Sequence, residues 1–256
     1  MTGAISWSKA IDVLQRIDNS DDPASLSQHE SNLHPLRTIK RILLRDANEQ
    51  FLAWMLSCFV PWAQASYDQN WRCGKTPTSR AANAARHGLK ADNRICRVID
   101  SAATNFENVI EIRNASAGQS YADQAAFPPM HQARKREVQG IAIRGWGPDW
   151  RSTVVFAVLV EAATSENSAQ VAEGLAHFAS WLEDLERSNL LNADKIKPLI
   201  NGKQLLDALD VKEAGPWVKK GLDIIIAWQF RNPQASDPRE AIQAIRDRSL
   251  EIGIPV

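Results

Sequence analysis

The last quarter of the sequence places lysines at the start of a predicted helix. In "GPWVKKGLDIIIAWQFRNP", residues 215–233, Pro216 suits the first helical position, and Lys219 and Lys220 fall in the first turn. The unsatisfied N–H groups and the helix dipole disfavour a cation there by about 0.3–1 kcal/mol. A bound anion would reverse the sign of this contribution, because N–H groups, dipole and ammonium groups would converge on it. The pattern therefore indicates a candidate phosphate-binding site.

A shorter predicted helix upstream repeats the arrangement. The segment "NGKQLLDAL" begins at Asn201 and Gly202 with Lys203 in its first turn, and Lys212 lies in the loop between the two helices. Two cationic helix starts in tandem favour a grip on the phosphate backbone of a nucleic acid. The alternative is that these lysines are simply a solvated surface.

Two further basic clusters carry the same pair of interpretations. In "HPLRTIKRILLRD", Arg37, Arg41 and Arg45 recur at i, i+4 spacing with Lys40 beside them. The other cluster surrounds Gly88 and consists of Arg80, Arg86, Lys90 and Arg94. Either face can follow a phosphate backbone, and either can be an ordinary solvated helix surface.

Motifs for other chemistry fail on their spacing. "CGKT", residues 73–76, lacks the earlier glycine of a P-loop, since position 69 is Gln69, and Pro77 opposes the following helix. "EDLER", residues 183–187, fits the charged face of an amphipathic helix. The five histidines show no metal-ligand spacing, and no paired aspartates follow a glycine-rich turn. The sequence thus predicts no catalytic residue, no metal site and no cofactor within this chain.

Composition and periodicity predict an all-α protein. The chain of 256 residues has a formal net charge of zero, so any contact with nucleic acid must come from local patches. Helical spacing recurs along the chain without convincing strand alternation. A shift to short helices near Asn192 predicts a helical body domain at 1–191 and a helical tail domain at 192–256. Gly88 is predicted to end its helix in the left-handed conformation, and "RSTVVFAVLVEAA" is predicted to be a central helix.

The chain is expected to be intracellular. Cys58, Cys73 and Cys96 are too far apart for a C-x-x-C pair and odd in number, which favours a reducing compartment. The apolar block "FLAWMLSCFVPWA" is shorter than the roughly 20 residues of a membrane span. Cytoplasm, nucleus and mitochondrion all remain open.

Two stretches resemble a known family. "PLINGKQLLDAL" followed by "VKEAGPWVKKGLDIIIAWQFRNP" resembles the C-terminal tail of class II tRNA nucleotidyltransferases, the CCA-adding enzymes, and in particular their fungal members. "AARHGLKADNRICRVIDSA" resembles a stretch of their body domain. The resemblance covers about residues 41–113 and 197–248.

The resemblance implies tRNA as the partner and a set of RNA-binding positions. In the tail these are Gly202, Lys203, Lys212, Gly215, Pro216, Trp217, Lys219 and Lys220, and in the body Arg86, Gly88 and Lys90. The basic face with Arg37 and Arg41 joins them as a candidate from its spacing. Glu213 and Ala214 lengthen the family's K-x-G-P link and bring a negative charge close to the predicted phosphate site.

The family's catalytic motifs do not occur in register. These are a G-G-x-V-R-D loop and a D-x-D pair in the head, and E-D-x-x-R in the neck. The resemblance therefore implies a body and tail that bind tRNA but are inactive alone, with Mg²⁺, CTP and ATP expected only in a separate or upstream catalytic head. The alternative is a helical protein-interaction scaffold derived from the family, which the zero net charge and the acidic segment 173–186 favour.

Overall fold

Helices account for nearly all regular structure in the part of the chain that the structure, a computed structural model, describes. That part comprises residues 5–21, 30–65, 72–73, 76–117, 129–249 and 253–254. Its helices are α1 Trp7–Asp18, α2 Glu30–Leu43, α3 Ala47–Ser57, α4 Arg80–Gly88, α5 Asn93–Ala117, α6 Pro129–Trp146, α7 Trp150–Thr164, α8 Ser168–Arg187, α9 Gly202–Leu209, α10 Trp217–Arg231 and α11 Arg239–Asp247. Short 3-10 helices lie at Val60–Gln64 and Ala193–Lys195. The predicted all-α fold class is confirmed.

One small antiparallel hairpin interrupts the helices. Strand β1 (Arg72–Cys73) pairs with β2 (Thr76–Pro77), with Cys73 opposite Thr76. Cys73 and Thr76, the first and last residues of the "CGKT" segment, therefore lie in paired strands. Two residues per strand are too few to produce the alternation by which a sequence reveals a strand, so this element was not predicted.

The chain divides into two compact units. The first comprises Met1–Ser120 and Trp146–Arg187, and the second comprises Tyr121–Gly145 and Ser188–Val256. Most of α6 thus groups with the C-terminal residues. The predicted domains, 1–191 and 192–256, stay a prediction.

Helix α7 is the centre of the first unit, as predicted. It is buried on nearly all sides, and α1, α3, α5 and α8 pack against it. One buried ion pair crosses this core: the Arg113 guanidinium lies 2.7 Å from a Glu161 carboxylate oxygen and 4.3 Å from the centre of the Phe178 ring. Since Arg113 is 4% exposed, its charge is held by Glu161 and by the ring face.

The second unit has its own core, formed mainly by α9, α10 and α11. Its buried members are Ile200, Leu205, Trp217, Ile225, Trp228, Ala241 and Ile245. Helix α6 approaches α10 closely, because a Cβ on Gly140 would lie 2.5 Å from the Phe230 ring. No helix of the described residues is long and apolar enough to cross a membrane.

The predicted left-handed cap at Gly88 is wrong. Helix α4 does end at Gly88, but the left-handed residue is Lys90, with φ of 54°. The chain continues through Leu89 in the right-handed region before it reverses, and the Ala91 N–H then donates to the Ala85 carbonyl at 3.1 Å. The reversal therefore falls two residues later than the glycine that suggested it.

Substitutions at Lys90 and Gly88 should show which of the two residues adopts the left-handed conformation. Lys90→Gly should raise the free energy of unfolding by about 1 kcal/mol, because a non-glycine residue is strained at positive φ. Gly88→Ala should leave stability unchanged or raise it, since nothing lies within 4 Å of the added Cβ. Urea unfolding of both variants checks this. Destabilisation by Gly88→Ala would show that Gly88 is the left-handed residue after all.

Candidate nucleic-acid interface

The starts of α9 and α10 lie side by side in the second unit. A Cβ built on Gly202 would lie 3.2 Å from Cγ1 of Val218, and one on Gly221 would lie 2.8 Å from Cδ2 of Leu205. The contacts follow the same order along both helices, 202 then 205 against 218 then 221. The helices are therefore parallel, and their positive dipole ends point to the same end of this unit.

A return loop makes the parallel arrangement possible. Asp210 ends α9 in the left-handed conformation with φ of 56°, and the Val211 N–H donates to the Leu206 carbonyl at 3.1 Å. The loop after Asp210 brings the chain back before α10 begins at Trp217. The seven residues 210–216 can span roughly 23 Å. This is nearly twice the roughly 12 Å length of the eight-residue helix α9. The loop therefore has length to spare.

The start of α9 is partly satisfied by its own side chains. Asn201 accepts from the Gln204 N–H at 3.0 Å, and the Gln204 side chain accepts from the Asn201 N–H at 2.9 Å. This reciprocal capping box was not recognised in the sequence, although Asn at the N-cap with Gln three residues later is its signature. An anion at the start of α9 would thus contact Lys203 and only those first-turn N–H groups that the capping box leaves free.

The start of α10 is built differently. Pro216 occupies the N-cap position, and no side chain among the described residues caps this end. Pro216 adopts helical φ and ψ, which agrees with the predicted helix start to within one residue. The first turn of α10 is therefore the better of the two ends for an external anion.

Gly215 and Trp217 hold this end in place. Trp217 is 4% exposed and belongs to the core of the unit, so its ring is not available to stack on a base. A Cβ on Gly215 would lie 3.0 Å from Cδ1 and 3.2 Å from Nε1 of that indole. Glycine lets the loop lie directly on the ring, and the indole N–H beneath it has no hydrogen-bond partner among the described residues.

The four lysines around these helix starts are exposed. Lys203, Lys212, Lys219 and Lys220 form no ion pair with any residue that the structure describes. Glu213, in the loop between the helices, is exposed as well. The structure therefore brings the two predicted cationic helix starts to one end of the unit, with the Glu213 carboxylate in the loop that joins them.

The basic face of α2 is organised in a different way, because acidic partners pair with Lys40 and Arg41. Arg41 makes two hydrogen bonds to the Glu186 carboxylate, at 2.5 and 2.7 Å, and Lys40 lies 2.9 Å from Asp21. Arg37 donates to the Ser20 carbonyl at 3.1 Å. The hydrogen bond to Arg41 lowers the pKa of Glu186 and raises that of Arg41. The i, i+4 arginine spacing thus serves α2–α8 packing, with Glu186 supplied by the "EDLER" segment.

Two arginines of the cluster around Gly88 keep their charge. The Arg86 guanidinium donates to the Asn93 side-chain oxygen at 3.2 Å, and Arg94 donates to that of Asn48 at 3.0 Å. Lys90 is exposed in the turn between α4 and α5. Since amides are neutral, these contacts orient the cations without compensating them. No group of three or more potential metal ligands occurs among the described residues.

Comparison with known proteins identifies relatives of one kind. The chain is 27% identical over 258 residues to nucleotidyltransferase lcsQ of Purpureocillium lilacinum, a match that covers 86% of this chain and 41% of the relative. It is 32% identical over 119 residues to the mitochondrial CCA tRNA nucleotidyltransferase of Saccharomyces cerevisiae, covering 44% and 21%. It is 31% identical over 97 residues to tRNA nucleotidyltransferase cca2 of Schizosaccharomyces pombe, covering 38% and 20%. No family model and no solved structure matches.

The homologues of this chain are thus nucleotidyltransferases, and those whose names give a substrate are tRNA nucleotidyltransferases. The resemblance to the CCA-adding family, predicted from the tail and body motifs, is confirmed. The chain spans about two fifths of the length of lcsQ and about one fifth of the two yeast enzymes.

The ion pair between α2 and α8 should give a pH-dependent stability. Because the folded-state pKa of Glu186 lies below the ordinary 4.5, the pair stabilises above that pH, and this contribution is lost as pH falls through the folded pKa. Glu186→Gln should therefore lower the free energy of unfolding by under about 1 kcal/mol at pH 7, as for other exposed pairs. Urea unfolding at pH 7 and pH 3.5 checks this. An equal deficit at both pH values would contradict the assignment.

The contact between Gly215 and Trp217 should be sensitive to one added methyl group. Gly215→Ala should lower the free energy of unfolding by about 1–3 kcal/mol, because the buried indole cannot move aside freely. Gly145→Ala, in α6, is the matched control, since nothing lies within 4 Å of its added Cβ. Unfolding monitored by tryptophan fluorescence measures both variants. Equal stability of both would mean that Gly215 does not rest on the ring.

Proposed function

We propose that this chain binds tRNA through the adjacent starts of α9 and α10, as the RNA-holding part of a CCA-adding nucleotidyltransferase. The observation that carries the proposal is the parallel contact between the two helices. It brings two positive dipole ends and exposed lysines without ionic partners to one end of the second unit. This arrangement concentrates positive potential locally in a chain whose formal net charge is zero.

The N-terminal end of α10 supplies the main phosphate contact in this proposal. The Val218 N–H donates to the Gly215 carbonyl at 3.0 Å, but the other first-turn N–H groups have no side-chain cap and can donate to phosphate oxygens. Lys219 and Lys220 add charge at the same turn. Lys203 on α9 and Lys212 in the loop widen the contact to neighbouring phosphates. Such contacts fix the register of an RNA without reading its bases. Recognition would therefore rest on the shape of the RNA backbone.

The names of the relatives suggest which RNA this is. Both yeast relatives are named as tRNA nucleotidyltransferases, whereas lcsQ, which matches most of this chain, is named only as a nucleotidyltransferase. In the proposal a catalytic head, in the same polypeptide or a separate one, supplies nucleotidyl transfer with Mg²⁺, CTP and ATP. No residue of this chain is assigned a catalytic role, and its intracellular location stays a prediction.

Charge reversal at α10 separates a binding role from a structural one. Lys219→Glu with Lys220→Glu should weaken binding to tRNA lacking its 3′ CCA by about tenfold or more and flatten its salt dependence, because phosphate contacts are lost. The same change should leave the melting temperature unchanged or raise it, since acidic residues are favoured at a helix start. Lys219→Arg with Lys220→Arg keeps the charge and is the matched control.

Fluorescence anisotropy of labelled tRNA at several salt concentrations, beside thermal unfolding, gives both quantities. Lost binding in a stably folded glutamate variant, with binding retained in the arginine variant, is the expected result. If all variants bind equally, or if none binds, the lysines are a solvated surface. In that case the protein-interaction scaffold becomes the better description.

Catalysis by this chain alone is a separate prediction. Incubated with tRNA lacking CCA, Mg²⁺, CTP and ATP, the chain should incorporate no labelled nucleotide, because it carries neither head motif in register. Addition of CMP or AMP by the purified chain would contradict this assignment of roles. A yeast CCA-adding enzyme in parallel shows that the tRNA is a competent substrate.

A further inference from the structure

Helix α3 presents an apolar stripe in the first unit that the proposed function leaves unused. Asn48, Phe51, Met55 and Cys58 follow one another at i, i+3, i+7 and i+10, the last just beyond the helix end, and so share one face. Phe51 is 51% exposed, which is unusual for a phenylalanine in a folded unit. The stripe is about 15 Å long at 1.5 Å per residue.

A second exposed aromatic ring lies at the C-terminal end of α3. The Trp7 indole N–H donates to the Ser57 carbonyl at 2.9 Å, which fixes the ring beside the last residue of α3. Trp7 is nevertheless 50% exposed. One exposed aromatic ring, Phe51, thus lies on the stripe, and a second, Trp7, is held at the C-terminal end of α3.

Uncompensated cations lie at the start of the stripe. Arg94 donates to Asn48, one turn before Phe51, and Arg86 donates to Asn93, the neighbour of Arg94. Neither arginine has a carboxylate within 4 Å among the described residues, whereas nearby Arg45 is paired with Glu49. A guanidinium oriented by a neutral amide keeps its charge for an external anion.

The carboxylates of this region are occupied by helix capping. Asp46 accepts from the Glu49 N–H at 2.8 Å at the start of α3, and Asp92 accepts from the Ile95 N–H at 2.8 Å at the start of α5. Both aspartates therefore face their own helix ends. The three cations Arg86, Arg94 and exposed Lys90 outnumber these two aspartates, so the surface beside Phe51 has a net positive charge.

We infer that this surface, defined by Phe51, Arg94, Arg86 and Lys90, binds unpaired nucleotides of the RNA. Phe51 stacks on a base, and the cations contact the adjoining phosphates, the combination that serves single-stranded nucleic acid. An aromatic ring bordered by free cations fits this ligand better than it fits an apolar protein helix. The inference rests on the proposed function and adds to it a second contact, in the first unit, that engages bases.

Replacement of Phe51 in the full chain tests the inference. Phe51→Ala should weaken binding to a labelled seven-nucleotide single-stranded RNA by about 5- to 100-fold, the range for loss of one stacked base. Phe51→Trp should retain binding, since it keeps an aromatic face. Val138→Ala in α6 removes a comparably exposed apolar side chain, 44% exposed, and should have no effect.

A duplex RNA probe keeps this inference apart from the tail proposal. Phe51→Ala should leave duplex binding unchanged, while the double glutamate variant of Lys219 and Lys220 should lose it. Equal binding of the oligonucleotide by the wild type and Phe51→Ala would overturn the inference and leave the tail proposal standing. It would also be overturned if sedimentation showed that Phe51→Ala abolishes a dimer without changing RNA affinity, because the stripe would then be a protein interface. If the double glutamate variant loses only duplex binding, and Phe51→Ala loses only oligonucleotide binding, the inference is supported.

Discussion

The close parallel packing of α9 on α10 is the constraint on which the proposed RNA contact depends. Two glycines, Gly202 and Gly221, allow it, because a Cβ at either position would press into the facing helix. The loop that begins at left-handed Asp210 returns the chain to the same end. Two positive dipole ends that would otherwise point in different directions thereby reinforce each other.

The arrangement explains how a chain of zero net charge can still offer an anion site. What matters is which cations have ionic partners within the fold. Arg41 is bound by Glu186, Arg45 by Glu49 and Lys40 by Asp21, so the most regular arginine pattern in the sequence loses most of its free charge. The lysines at the helix starts have no such partners among the described residues, although their spacing is less regular.

The sequence was sufficient for what depends on local patterning. Helical periodicity identified the fold class and the central α7, and Pro216 marked the start of α10, because these follow from spacing and backbone chemistry. The role of Trp217 could not be predicted, since its burial depends on residues brought together from three helices. The Arg41–Glu186 pair joins positions 145 residues apart, and no local pattern indicates it.

Other differences arose from competition between local rules. Gly88 suggested the reversal after α4, yet the chain places Lys90 in the left-handed conformation, against the intrinsic preference of glycine for that region. The capping box at Asn201 follows a local pattern that the sequence already contains, an N-cap Asn with Gln three residues later. The exposed ring of Phe51 lay within a block interpreted as core, because a hydrophobic run does not reveal which of its faces remains open.

The most direct measurement of the central claim is an amide NMR titration of the isotope-labelled chain with tRNA lacking its CCA end. If the paired helix starts hold the phosphate backbone, the amides of the first turns of α9 and α10 should shift together and saturate at the same RNA concentration. Shifts confined to α2, or distributed without preference over the surface, would contradict the account.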